Sequence, residues 1–150
     1  MGLHLHRPLV RDHTQIDPVA DAVTVTLNHP IVPALDHLRE ADFFASIMGL
    51  ERLPLTGRAG HFAPVRVNEQ LTLDFMTVDD PSGVHLAFDV DAATVDQILA
   101  RLRAAGVPYG NDPAGRDNGR IDHPLRTRGL FFVDAASMAS LMFLTDGGVS

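Results

Sequence analysis

His29, His85 and Asp74 are the side chains with which this chain could hold a divalent metal ion. The two histidines open equivalent stretches, since His29 precedes Gly49 by 20 residues and His85 precedes Gly106 by 21. In HLAFDV, strand alternation puts His85, Ala87 and Asp89 on one face and Leu86, Phe88 and Val90 on the other. In LTLDF, Asp74 and Thr72 likewise oppose Leu71, Leu73 and Phe75. Two imidazoles and one carboxylate turned away from a core have the composition of the facial site of non-haem iron and manganese enzymes. Such a site leaves coordination positions open for substrate and for dioxygen or water.

The elements that must position these residues repeat along the chain. VTVTLNHPIVPAL reads as a strand, rich in β-branched residues and broken by prolines. Next, Asp36 caps a helix with Leu38, Ala41, Phe44, Ile47 and Met48 as its apolar stripe, stopped at Gly49. GVHLAFDV is again a strand, followed by a helix behind Asp91 with Val95, Ile98, Leu99, Leu102 and Ala105 on one face and Gly106 as its stop. Short strands follow each helix: HFAPVRV and LTLDFMTV in the first unit, RGLFFVD and SLMFLTD in the second. The second pair is delayed by a longer loop, about residues 110–127. The expectation is an α+β chain of two tandem βαβββ modules, residues 23–80 and 83–146, with an N-terminal arm over residues 1–22. MGLHLHRPLV and the rest of that arm fit neither module, and its histidines have no spacing that fixes a geometry. An arm packed on a partner subunit or a mobile terminus is the expectation there.

LNHPIVPALDHLREADFFASIMGL, FAPVRVNEQLTLDF, GVHLAFDV and RGLFFVD together resemble the glyoxalase, bleomycin-resistance and extradiol-dioxygenase superfamily, the vicinal oxygen chelate fold. The resemblance runs from about Asn28 to Asp146. It implies paired modules that curl a mixed sheet around a cleft with helices outside. It also implies metal ligands at four equivalent places: a histidine in the first strand of each module and an acid in the last strand of one or both. His29 and His85 match the histidine positions, and Asp74 matches the first acidic one. The second acidic position, normally in a stretch like D-P-D-G-H-x-x-E, falls on Met142, or on Leu141 if the altered turn DAASMASLM carries no extra residue. Neither is a carboxylate. Thioether sulfur is a soft, weak partner for iron(II), manganese or zinc, so Met142 reads as a lost ligand, as a cleft floor remade for an apolar ligand, or simply as a residue filling space beside Leu144.

Around this constellation, His123 is the first choice for a catalytic acid or base, because an imidazole titrates near neutrality; His61 and Tyr109 are weaker candidates. The loop GRDNGRIDHPLRTR carries Arg116, Arg120, Arg126 and Arg128, and Arg126 and Arg128 are the candidates for clamping a carboxylate or phenolate. The plain alternative is a solvated loop partly neutralised by Asp117 and Asp122. Met142, Phe132 and Met76 are expected to line the ligand cleft.

Composition narrows the classes. The chain has 150 residues, no cysteine and 45% hydrophobic residues, enough for one domain with its own core and without disulfides or thiolate chemistry. All 12 basic residues are arginine and the net charge is -7, which argues against a nucleic-acid backbone binder. No apolar run approaches a membrane span, and a cytoplasmic protein is expected. There is no phosphate-cradling glycine loop and so no nucleotide cofactor, and no nucleophile elbow. Besides a scaffold whose dimer matters and whose cleft is vestigial, two functions remain open. One is an enzyme centred on a divalent metal (iron, manganese, zinc or nickel) held by His29, Asp74 and His85, acting on a small oxygenated compound such as an aromatic one. The other is a metal-free protein that sequesters a small molecule or drug. A homodimer is expected in either case, because proteins of this kind pair about two-fold axes.

Overall fold

A computed structural model describes residues 24–123, 128–134 and 140–146 of the chain. The order of elements is β1 (Ile31–Ala34), α1 (His37–Met48), β2 (Glu51–Arg52), a 3-10 turn (Arg58–Gly60), β3 (Phe62–Arg66), β4 (Thr72–Thr77), β5 (His85–Asp89), α2 (Ala92–Ala105), β6 (Gly129–Phe132) and β7 (Leu141–Thr145). The architecture is α+β with two mixed sheets. Sheet A has the order β1-β4-β3-β2, and sheet B has the order β5-β7-β6. In each, the module's first strand runs parallel to its last.

Both helices start and stop as their cap residues dictate. The Asp36 carboxylate accepts from the Arg39 amide at 3.1 Å and the Asp91 carboxylate from the Thr94 amide at 2.7 Å, each filling an orphan donor of the first turn. Gly49 and Gly106 close the helices in the left-handed region at φ 70° and 66°, where a side chain would be strained. Their apolar stripes meet the sheets in one shared core. Phe44 of α1 stands 5.7 Å from Phe75 of sheet A and 5.8 Å from Phe88 of sheet B, so both sheets turn their apolar faces toward the helices. Val32, Val65, Leu73 and Phe75 contribute from sheet A, and Leu130, Phe132, Met142 and Leu144 from sheet B, all nearly or fully buried. Each such side chain adds about 1.5–3 kcal/mol of burial energy.

Two expectations need correction. The single curled sheet is instead two separate sheets, because among the described strands nothing joins β1 to β5. Among the described residues the second module is βαββ rather than βαβββ. The strand expected directly after α2 is replaced by a loop, which meets β6 at the Gly110–Phe131 bridge and where the Gly129 amide donates to the Ile121 carbonyl at 2.8 Å. The reason is local: Asp112 and Asn118 take the amides of Ala114, Gly115, Asn111 and Arg120 with their side-chain oxygens. Backbone bonded in that way cannot build a ladder. The arm over residues 1–22 and the candidate Arg126 lie outside the described residues.

Candidate functional site

Strand register places the ligand-type residues. β4 pairs with β1 so that Asp74 lies beside Ile31. The ladder continues toward the N-terminus, where the amides of Thr72 and Asp74 donate to the carbonyls of Asn28 and Pro30 at 3.0 and 3.1 Å. His29 therefore stands level with Thr72, on the same face of sheet A as Asp74 and Met76 and opposite the core residues Leu73 and Phe75. Its ring Nδ1 is 2.6 Å from Asn28 Oδ1. Asp74 and Met76 are half-buried and His29 is exposed.

On sheet B the outward face carries His85, Ala87 and Asp89 from β5, Leu141, Phe143 and Thr145 from β7, and Gly129 and Phe131 from β6. Its centre is aromatic. Phe131 and Phe143 stack with centroids 4.3 Å apart and an interplanar angle of 18°. The His85 ring stands edge-on to both, at 6.0 and 6.4 Å, and His123 tilts over Phe143 at 5.4 Å. Gly129 makes this arrangement possible: a Cβ there would lie 2.9 Å from Phe143 Cε2 and 3.0 Å from His123 Cβ. Beside Phe143 the face dips into a shallow depression of about 160 Å³ lined by Ala87, Phe88, Asp89, Phe143 and Thr145.

The same register reassigns the second acidic position. Asp74 pairs with Ile31, two residues after His29, and Phe143 pairs with Ala87, two residues after His85. The counterpart of Asp74 is Phe143, neither Met142 nor Leu141. Met142 is 2% exposed and Phe132 is fully buried, with Phe43 edge-on to Phe132 at 6.3 Å. Both therefore belong to the core and not to a ligand-lining surface. Parity in SLMFLTD could have revealed this, since Phe143 alternates with the core residues Met142 and Leu144.

Arg128 is similarly placed away from the role expected of it. Its Nε donates to Asp146 at 2.7 Å, its Nη1 to Asp96 at 2.6 Å and its Nη2 to the Ala92 carbonyl at 3.0 Å. These bonds, Asp96 first, hold the guanidinium pKa above its already high value. They pin the start of α2 to the β6–β7 pair and occupy the fork that would clamp a substrate. Arg120 is exposed and pairs with Asp122 at 2.7 Å, which lowers the Asp122 carboxyl. His61 lies on the β2–β3 connection, its Nδ1 2.6 Å from the Arg58 carbonyl. Tyr109 accepts from Arg103 Nε at 3.1 Å.

Among the described residues the arrangement within one chain does not gather a metal-binding set. His29 and Asp74 share one face of sheet A, His85 lies on sheet B, and the fourth position is a phenyl ring. Among the described residues no three histidine or acidic side chains come close enough together to hold a metal ion.

No family model matches the chain, and no curated protein matches it. Solved structures do. Oxidase ChaP-H2 is 36% identical over 81% of this chain and 93% of that chain, with a TM-score of 0.72. A mutant form of the fosfomycin resistance protein FosX from Listeria monocytogenes, complexed with Mn(II) and 1S,2S-dihydroxypropylphosphonic acid, is 19% identical over 85% of this chain and 96% of that chain, TM-score 0.62. TnmS3, an antibiotic-binding protein from Streptomyces sp. CB03234, is 20% identical over 85% of this chain and 100% of that chain, TM-score 0.57. The last two are likenesses of fold. With two β-α-β units in tandem, outward histidines at matching places and a relative more than a third identical across most of both chains, this protein belongs to the vicinal oxygen chelate superfamily.

Proposed function

We propose that this protein binds a small planar aromatic molecule on the outward face of sheet B. One observation carries the reading. A stacked pair of phenyl rings, Phe131 and Phe143, is flanked by two imidazoles on a face turned away from the core. Aromatic faces and edges prefer offset and perpendicular partners, and a ligand ring completes such a cluster. His85 and His123 supply polar nitrogens beside it, able to bond a phenolic or carbonyl oxygen. The antibiotic-binding function named for TnmS3 is compatible with this reading. The test is a fluorescence titration with the neutral fluorophore 9-anthracenemethanol, in the wild type and in Phe143→Ala.

A second reading has its own support: an oxidase centred on a divalent metal, with His29, Asp74 and His85 as ligands and His123 as acid or base. The relative of 36% identity is named an oxidase, the FosX structure holds Mn(II), and ligand-type residues stand at three of the four equivalent positions. Since no three such side chains gather among the described residues of one chain, this reading has the ligands brought together from two chains. Elemental analysis of protein purified without chelators tests it.

A homodimer is part of the proposal. β1 and β5 are edge strands whose outer edges no described strand covers, and unpaired edges invite pairing with another chain. Near β1 the large apolar residues Val25, Leu27, Ile31 and Leu35 are 85%, 66%, 48% and 49% exposed, an arrangement suited to burial against a second copy. Among the described residues no helix is long and apolar enough to cross a membrane, and a cytoplasmic location is proposed with the rest.

A further inference from the structure

We infer that the depression beside Phe143 is a subsite for a cation, so that the aromatic ligand this protein prefers carries a protonated amine or similar positive group. The inference rests on the aromatic-binding reading and goes further by naming the charge of the ligand. Among the described residues five line the depression, and of these Asp89 is the only ionisable one. At about 160 Å³ it is smaller than the roughly 300 Å³ at which whole-ligand pockets begin, so it suits a substituent rather than a ring system.

Asp89 is exposed, and its carboxylate has no hydrogen bond or ion pair among the described residues. The neighbouring cation cannot neutralise it. Arg128 is tied to this corner through its own carbonyl, which accepts from the Thr145 hydroxyl at 3.0 Å, while its guanidinium is spent on Asp96, Asp146 and the Ala92 carbonyl. Among the described residues the depression therefore presents a carboxylate without a cationic partner beside an aromatic wall.

Spacing links the two halves. Phe143 pairs with Ala87, and Asp89 follows Ala87 by one repeat of the strand, on the same face. That repeat is about 6.7 Å, room for a stacked ring to carry an amine one or two bonds off its edge within ion-pair distance of the carboxylate. Ala87 keeps the path between them low. A ring against Phe143 would also exclude water from one side of the carboxylate and so strengthen its attraction for a cation. The net charge of -7 favours approach of the same ligands over anionic ones.

The experiment uses three probes of one shape: 9-anthracenemethanol, 9-(aminomethyl)anthracene, protonated at pH 7, and 9-anthracenecarboxylate. Each is titrated by fluorescence into the full chain, its Asp89→Asn variant and its Asp89→Lys variant. The expected result is about fivefold tighter binding of the amine than of the alcohol, with the carboxylate weakest. The preference disappears in Asp89→Asn, turns toward the carboxylate in Asp89→Lys, and narrows as salt is raised. Equal binding of all three probes, or a preference for the amine that survives Asp89→Asn, overturns the cationic subsite and leaves aromatic binding standing. Binding of none of them overturns both. Circular dichroism of the variants checks that each is folded; both substitutions are at an exposed position and leave the core untouched.

Discussion

Phe143 occupies in the second module the register position that Asp74 occupies in the first, each paired with the residue two beyond its module's histidine. One repeat thus places a carboxylate on the outward face of sheet A and a phenyl ring on that of sheet B. The ring stacks on Phe131 and lies within contact of two imidazoles, so the replacement has changed a donor position into an aromatic surface.

By that equivalence, Phe143→Glu places a carboxylate level with Ala87 and one strand from His85. Its affinity for Mn²⁺ should rise at least about tenfold over the wild type, as expected for an added charged oxygen ligand. Isothermal titration with MnCl₂ reads this directly, and the same change at Met142, which is buried in the core, should unfold the protein instead. Equal Mn²⁺ affinity in Phe143→Glu and wild type would contradict the register.

Arg128 ties α2 to the β6–β7 pair, and Asp146, its partner, has a side chain only 5% exposed. Arg128→Ala should cost about 2–3 kcal/mol in urea denaturation, because it leaves a buried carboxylate unpaired. The double variant Arg128→Met, Asp146→Asn should recover part of that. A loss of ligand affinity in Arg128→Ala with unchanged stability would restore the substrate-clamp role.

Asp91 caps α2, and bonds from Thr94, side chain first and then backbone, lower its carboxyl pKa. A lowered folded-state pKa stabilises the fold above the unfolded value, about 3.9, and that contribution is lost as pH falls through the folded one. The stability advantage of the wild type over Asp91→Asn should therefore be present at pH 6 and shrink as pH drops below about 4. Thermal melts of the two proteins from pH 7 to pH 3 measure it, and an advantage that grows with acid would contradict the cap.

Sedimentation should show a dimer, weakened by Ile31→Arg, because Ile31 is a half-exposed apolar residue on an uncovered edge strand. A monomer at tens of micromolar would remove this part of the proposal.

Much of this was legible in the sequence. The two modules, both N-caps and both left-handed C-caps rest on local rules, and local rules survive folding: Asp36, Gly49, Asp91 and Gly106 stand where their chemistry requires. The outward parity of His85 and Asp74 follows from alternation alone. What failed needed pairing partners. Met142 reads as the second acidic position when the altered turn DAASMASLM is matched by letters, while the ladder with β5 shifts the match by one residue, and in a strand one residue is the difference between core and surface. Phe131 is hidden for a related reason: although it lies on the outward face it is 4% exposed, covered by Phe143. Arg128 looked like a loop cation because its acceptors, Asp96 and Asp146, are 32 and 18 residues away. Separation of the modules into two sheets depends on tertiary docking, which no periodicity reports.

The most direct test of the central claim is the titration of 9-anthracenemethanol into the wild type and Phe143→Ala, with folding verified by circular dichroism. Saturable binding is expected in the wild type, weakened about tenfold or more when the ring is removed. Binding of equal strength in a folded Phe143→Ala variant, or no binding in the wild type, would contradict that claim.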